Sequence, residues 1–212
     1  MTERPAARFI TLEGGEGAGK STHARALSQT LTDRGIDNIV TREPGGSRGA
    51  EEIRSLLVEG EPGRWEPLVE TLLLFAARAD HIAHTIKPAL TSGKWVICDR
   101  FTDSTFAYQG AGRGLALDVI RRIEQVSIHD FRPDLTFVLD APIEIAMGRI
   151  GTRAHAENRF EKFDRGFHQR LRDYFLRLPK LDPARCLLVD TSAAPEAVSA
   201  SIWKNVSHKF GL

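Results

Sequence analysis

Apolar residues follow two rhythms along this chain: short unbroken runs, and longer stretches in which they return every three or four positions. The alternation predicts strands separated by helices. The short runs cover residues 8–12, 37–41, 94–98, 135–139 and 186–189. Residues 21–34 and 49–59 read as helices, with Gly35 as a stop after the first. The Pro- and Gly-containing stretch 61–67 then breaks the chain before a long helix that opens on Pro67. Leu68, Leu72, Phe75, Ala79, Ile82 and Ile86 give this helix one continuous apolar stripe, which Pro88 should kink or end. Residues 115–129 make another amphipathic helix, and Pro142 starts one that runs to about Arg149. Phe160, Phe163, Phe167, Leu171, Tyr174 and Leu178 return to helical spacing, and residues 194–206 form a closing helix. Five strands alternating with helices predict an α/β fold: a parallel sheet with right-handed crossovers, helices on both faces, and ligands at the carboxyl ends of the strands.

Between the first strand and the first helix stands Gly14-Gly15-Glu16-Gly17-Ala18-Gly19-Lys20-Ser21, which fits the pattern G-x-x-x-x-G-K-[ST]. Chance alone would put it in about one chain of this length per hundred, and the strand-loop-helix context sharpens the signal. Glycines let backbone N–H groups turn inward around a phosphate, the helix N-terminus adds partial positive charge, and Lys20 adds a full one. Ser21, followed by Thr22, stands where a hydroxyl can ligate Mg²⁺. The chain is therefore expected to bind a nucleoside triphosphate in a P-loop NTPase-type sheet.

Composition narrows the setting. A length of 212 residues suits one domain spanning 1–212. The balance of 29 basic against 28 acidic residues favours small anions over a nucleic-acid-coating surface. Cys98 and Cys186 sit in apolar runs and suggest buried strand positions, not a disulfide framework or zinc site. The chain shows no apolar leader and no run long enough for a membrane span, so a soluble cytoplasmic protein is expected.

Phosphoryl transfer needs an acid for the metal, cations over the moving phosphate and an acceptor pocket. Three acids, Asp99, Asp140 and Asp190, each follow an apolar run, and each could equally cap a turn or helix. Asp99 is favoured by the polar set after it: Arg100, Ser104, Thr105, Tyr108 and Gln109. Asp140 is followed by Ala-Pro and a helix, which is cap-like. The basic residues after Phe160 fit the solvent side of an amphipathic helix. Arg149 and Arg153 instead flank a polar, glycine-containing segment, as a lid over phosphates requires, within a lid region of about 149–160. Arg78, three residues after Phe75, could help hold a planar base or could simply snorkel beside a core Phe.

Taken together, residues 9–14 (Phe-Ile-Thr-Leu-Glu-Gly), 41–46 (Thr-Arg-Glu-Pro-Gly-Gly), 74–78 (Leu-Phe-Ala-Ala-Arg), 99–101 (Asp-Arg-Phe), 108–110 (Tyr-Gln-Gly) and 159–161 (Arg-Phe-Glu) closely resemble bacterial thymidylate kinases over nearly the whole chain. The resemblance implies transfer of the ATP γ-phosphate to dTMP, with Mg²⁺ and a homodimer packed through helices. It implies that Phe75 stacks on thymine, Arg78 bonds its carbonyl edge, and Thr105 and Gln109 line the base site. Tyr108 would select deoxyribose, Arg100 and Arg54 would hold the acceptor phosphate, Glu16 would meet the 3′-hydroxyl, and Asp99 would serve the metal through water. Gly17 stands where some members carry an arginine, so Arg153 in the lid is the expected catalytic cation. Asn158, where the pattern often has Asp, is a second departure. Other readings are another small P-loop nucleoside or nucleoside monophosphate kinase, or a nucleotide-binding switch. The switch lacks the Asn-Lys-x-Asp string that reads guanine, and adenylate kinases usually follow the P-loop Lys with Gly.

Overall fold

The computed structural model of the chain describes residues 6–151 and 159–212. Among these, β1 (Phe9–Glu13), β2 (Asn38–Arg42), β3 (Trp95–Asp99), β4 (Leu135–Asp140) and β5 (Cys186–Asp190) form one parallel sheet in the order β2-β3-β1-β4-β5. Each strand ends one residue beyond its apolar run, on Glu13, Arg42, Asp99, Asp140 or Asp190. The ladder is built from backbone groups and is indifferent to side-chain polarity.

Alternation along the strands sorts the core into layers. Ile10, Leu12, Trp95, Ile97, Leu135 and Phe137 point to one face and meet Leu27 and Leu31 of α1 (Lys20–Thr32) and Val198, Ile202 and Val206 of α10 (Pro195–Phe210). Phe9, Val96 and Cys98 point the other way, onto Phe75, Ile82, Ile86 and Ile120. These come from α3 (Pro67–His81), the π-helical turn that follows it, and α6 (Leu117–Ile128). Burial of each such side chain contributes about 1.5–3 kcal/mol. Both cysteines are free and buried.

The stripe expected along the long helix divides. Phe75, Ile82 and Ile86 are buried, whereas Leu68 and Leu72 are 45% and 51% exposed. The core side is instead completed by Thr71, Leu74, Arg78 and His81, so the helix has a second, outward apolar face. Pro88 does not end it. The helix widens into a π turn at Ile82–Ile86, where the Lys87 N–H reaches back to the Ile82 carbonyl, and α4 (Lys87–Thr91) continues.

Residues 102–112 carry no amphipathic period in the sequence, yet α5 (Thr102–Thr105) runs into a π-helical segment, Phe106–Gly112. One side of it meets the core and another the site, so almost every position is buried and no polar face marks the period. The expected single helix through 160–178 is three pieces: a 3₁₀ turn (Arg159–Lys162), α8 (Arg165–Phe175) and α9 (Leu178–Leu181). Asp164 makes the break by accepting the Phe167 N–H at 2.7 Å as an N-cap. The remaining helices are α2 (Arg48–Val58) and α7 (Ile143–Gly151).

Candidate active site

Because β1 and β3 are neighbours, with Leu12 opposite Asp99, the P-loop and the Asp99-Arg100 pair emerge side by side. The loop cannot carry side chains at two of its glycines. A Cβ on Gly14 would lie 2.3 Å from the Leu139 carbonyl oxygen, and one on Gly17, at φ +73°, would lie 2.2 Å from that of Ala146. An arginine at position 17 would collide with α7, which gives that departure a physical basis. Lys20 is buried and donates to the carbonyls of Gly14 (3.2 Å) and Gly15 (2.7 Å). Burial, then the nearby Arg100, lower its ammonium to about 8, as expected where cations converge on a place for an anion.

The three strand-end acids now separate. Ser21 Oγ donates to Asp99 Oδ2, which puts a hydroxyl and a carboxylate, both hard oxygen donors, at the mouth of the P-loop. Asp140 accepts both Nε (2.7 Å) and Nη2 (2.9 Å) of Arg172. Asp190 accepts the Ser192 N–H at 2.8 Å. Those two hold local structure.

A cavity of about 220 Å³ opens beside the loop. Glu16, Lys20, Arg54, Arg78, Asp99, Arg100, Thr105, Tyr108 and Gln109 all line it. Arg100 donates to Gly14 O and Glu16 Oε1, each at 2.8 Å, and takes the left-handed φ of +73°. Glu13 holds the strained turn. Its buried carboxyl accepts the Phe101 N–H (2.7 Å) and the Ser104 hydroxyl (2.5 Å). Burial, then the charge of Asp103, push Glu13 up to about 8. Burial also pushes Glu16 up, but Arg100 and Lys20 outweigh it and hold Glu16 below the usual carboxylate range. Tyr108 donates to Glu16 Oε1 at 2.9 Å.

Arg78 is held on several sides. Nε donates to Glu43 Oε2 (2.7 Å), and Nη2 donates to Phe101 O and Thr105 Oγ1 (both 3.1 Å). Its guanidinium lies 4.7 Å from the Phe75 ring centre. Phe75 itself is buried behind Arg78 and outside the cavity lining. Among the described residues, Nη1 of Arg78 is buried without a hydrogen-bond partner, and so is Oε1 of Gln109. An unpartnered donor and an unpartnered acceptor thus belong to two residues that line one cavity. Arg54 donates to Pro44 O at 2.6 Å.

Among the arginines of the expected lid, Arg149 donates to the carbonyls of Gly17 (3.5 Å) and Thr191 (2.8 Å). Arg159 is buried and ion-paired with Glu70. Arg153 and Asn158 lie outside the described residues. Sequence reasoning missed Glu13, Glu43 and Glu70, the buried acidic side chains that anchor the site. Glu13 and Glu43 fall in segments already singled out, but nothing near Glu70 marks it.

A cavity lined by a phosphate loop and several cations suits a small phosphorylated molecule. The family model described as thymidylate kinase matches residues 12–202. The chain is 49% identical to the thymidylate kinase of Rhizorhabdus wittichii, over 92% of this chain and 94% of that one. It is 48% identical to that of Caulobacter vibrioides, over 96% and 98%. The crystal structure of thymidylate kinase from Ehrlichia chaffeensis superposes with a TM-score of 0.78 at 32% identity, covering 95% of this chain and all (100%) of that one. With its P-loop and its Asp99-Arg100 pair at neighbouring strand ends, this chain belongs to the thymidylate kinase family.

Proposed function

We propose that the cavity beside the P-loop is the dTMP site and that the residues lining it divide the work of the family's reaction. The protein phosphorylates dTMP to dTDP with ATP, in nucleotide biosynthesis. One observation carries the assignment of the site: the uncommitted donor Arg78 Nη1 and acceptor Gln109 Oε1. Thymine offers an acceptor at O4 next to a donor at N3, which complements such a pair. Phe75, expected to stack on thymine, lies outside the cavity lining and instead packs against the Arg78 guanidinium, which Thr105 also fixes. Tyr108 closes on the sugar, and Glu16 meets the 3′-hydroxyl. Arg100 and Arg54 hold the 5′-phosphate. The loop from Gly14 to Thr22 cradles the ATP phosphates, with Lys20 as its point charge.

Ser21 and Asp99 supply oxygen donors of the kind Mg²⁺ takes, with phosphates and water completing the set. An Mg²⁺ ion held by these two residues would offset negative charge on the nucleotide phosphates. Asp99→Asn is expected to lower turnover and to shift the Mg²⁺ titration to higher concentration. Asp140→Asn should leave both in place and cost about 1 kcal/mol or less of stability, its ion pair with Arg172 being partly exposed. Mg²⁺ titrations and urea melts of the two variants compare the roles. Loss of Mg²⁺ response in Asp140→Asn alone would reverse the assignment.

A homodimer in one cytoplasmic domain of 1–212 completes the proposal. Support comes from the outward face of α3, where Leu68, Val69 and Leu72 are 45%, 39% and 51% exposed and Ala76 continues the stripe. No helix among the described residues is long and apolar enough to cross a membrane. Leu72→Lys should convert a dimer into a monomer in sedimentation velocity. A wild-type chain that sediments as a monomer at micromolar concentration would contradict it.

Initial rates in a coupled ADP-release assay test the acceptor site. dTMP should be preferred, and ribonucleotides should be poor. dUMP, lacking one methyl, should lose about 10–200-fold in kcat/KM. Equal turnover of dTMP and AMP would overturn the assignment.

A further inference from the structure

Glu70 lies on α3 with no exposure at all, and it does not line the cavity. Its Oε1 accepts the Gln109 Nε2–H at 2.7 Å and lies 3.1 Å from Arg113 Nη1. Its Oε2 accepts from Arg159 Nη2. A side-chain amide can turn over and exchange its oxygen for its nitrogen, and only the network around it decides which faces where. Here a carboxylate facing two guanidinium groups presents acceptors, so it can be met only by the nitrogen end of Gln109. The oxygen end is thereby left buried, unpartnered, on a residue that lines the cavity.

We infer that Glu70 sets the base specificity of the acceptor site by locking the Gln109 amide with its oxygen toward the base. The inference rests on the assignment of this cavity to dTMP. With the amide locked, the site shows an acceptor at Gln109 and a donor at Arg78. Thymine and uracil match it with N3–H and O4. Cytosine inverts both groups, with a lone pair at N3 and an amine at C4, so each polar atom of the site would face its like. Leaving buried polar groups unpaired in this way is the strong form of discrimination, in contrast to the weak rejection of a missing methyl. Glu70 is a positioning residue that never touches the nucleotide. Its charge, not its bulk, performs the selection.

The test compares kcat/KM for dTMP, dUMP and dCMP in wild type, Glu70→Gln, and the swapped pair Glu70→Gln with Gln109→Glu. In Glu70→Gln the partner is itself an amide, so Gln109 can present either end. The dTMP/dCMP ratio should fall by about tenfold or more, while the dTMP/dUMP ratio, which reports the methyl group, stays within about twofold. A purely structural role for Glu70 would lower all three substrates together and leave both ratios unchanged; that result overturns the inference. The swapped pair restores an acceptor toward the base and keeps one carboxylate in the buried cluster, so its dTMP/dCMP ratio should return to within about threefold of wild type. If Glu70→Gln alone does not fold, the swapped pair decides the matter: with a wild-type melting temperature and a lost ratio, it too overturns the inference. A wild-type enzyme that turns over dCMP as well as dTMP would mean that the cavity assignment itself is at fault.

Discussion

Arg153→Ala is expected to lower kcat by about 10³–10⁵ while changing the KM for ATP and dTMP far less. Phosphoryl transfer draws most of its catalysis from charge placed around the moving group, and an arginine there has that magnitude. The P-loop cannot supply one, because a side chain at Gly17 would run into the Ala146 carbonyl at 2.2 Å. Neighbouring arginines have other assignments: Arg100 donates to Glu16 and Gly14 and is assigned to the acceptor phosphate, Arg149 meets the carbonyls of Gly17 and Thr191, and Arg159 pairs with Glu70. Arg153 lies outside the described residues, and its role as the lid cation is a proposal. A loss in kcat without a matching rise in KM marks an interaction made mainly in the transition state. Steady-state kinetics on Arg153→Ala and Arg149→Ala decide between them. A kcat for Arg153→Ala within about tenfold of wild type is too small a loss for such an arginine, and would pass the role to Arg149.

Lys20→Ala should cost at least about 10²–10³ in kcat, the scale seen when one donor is removed from a charge-stabilising site. The side chain is buried in the loop, and its ammonium bonds only the Gly14 and Gly15 carbonyls among the described residues. Arg100 and Arg54, which also line the cavity, are assigned to the acceptor phosphate and so do not replace it. The fold should survive, because Lys20 packs at the helix N-terminus and not between sheet and helices. Circular dichroism and a thermal melt alongside the ADP-release rate separate the two effects. A variant that unfolds, or one that keeps a tenth or more of its turnover, contradicts the assignment.

The apolar runs located the four strands β1, β3, β4 and β5, which are largely apolar, while the edge strand β2, with only Ile39 and Val40 apolar, was marked by its β-branched residues between turn signals. The P-loop was legible for a different reason: its chemistry needs fixed residue types at fixed spacing. Asp99 could be favoured over Asp140 from its polar neighbours, but the deciding fact, that Asp140 is held by Arg172 from α8, is a contact across 32 positions in sequence. Glu70 shows the limit most sharply. On a helix wheel it is an ordinary acidic residue, and only the fold brings Gln109, Arg113 and Arg159 around it. The long helix misled in the opposite direction. It has apolar residues on two sides, and a periodicity of three and four positions cannot tell a core face from one that awaits a partner. Residues 102–112 hid their helix because a segment buried on nearly every side carries no polar face to set the period.

The structure of the complex with dTMP tests the central claim most directly, because it reads out which atoms meet the acceptor. The account places the thymine N3–O4 edge at hydrogen-bond distance, about 2.7–3.2 Å, from Gln109 Oε1 and Arg78 Nη1. It places the 5′-phosphate against Arg100 and Arg54, on the side facing Lys20. dTMP bound with its base at the P-loop, or in the small crevice between Gly15, Met147 and His168, would contradict it.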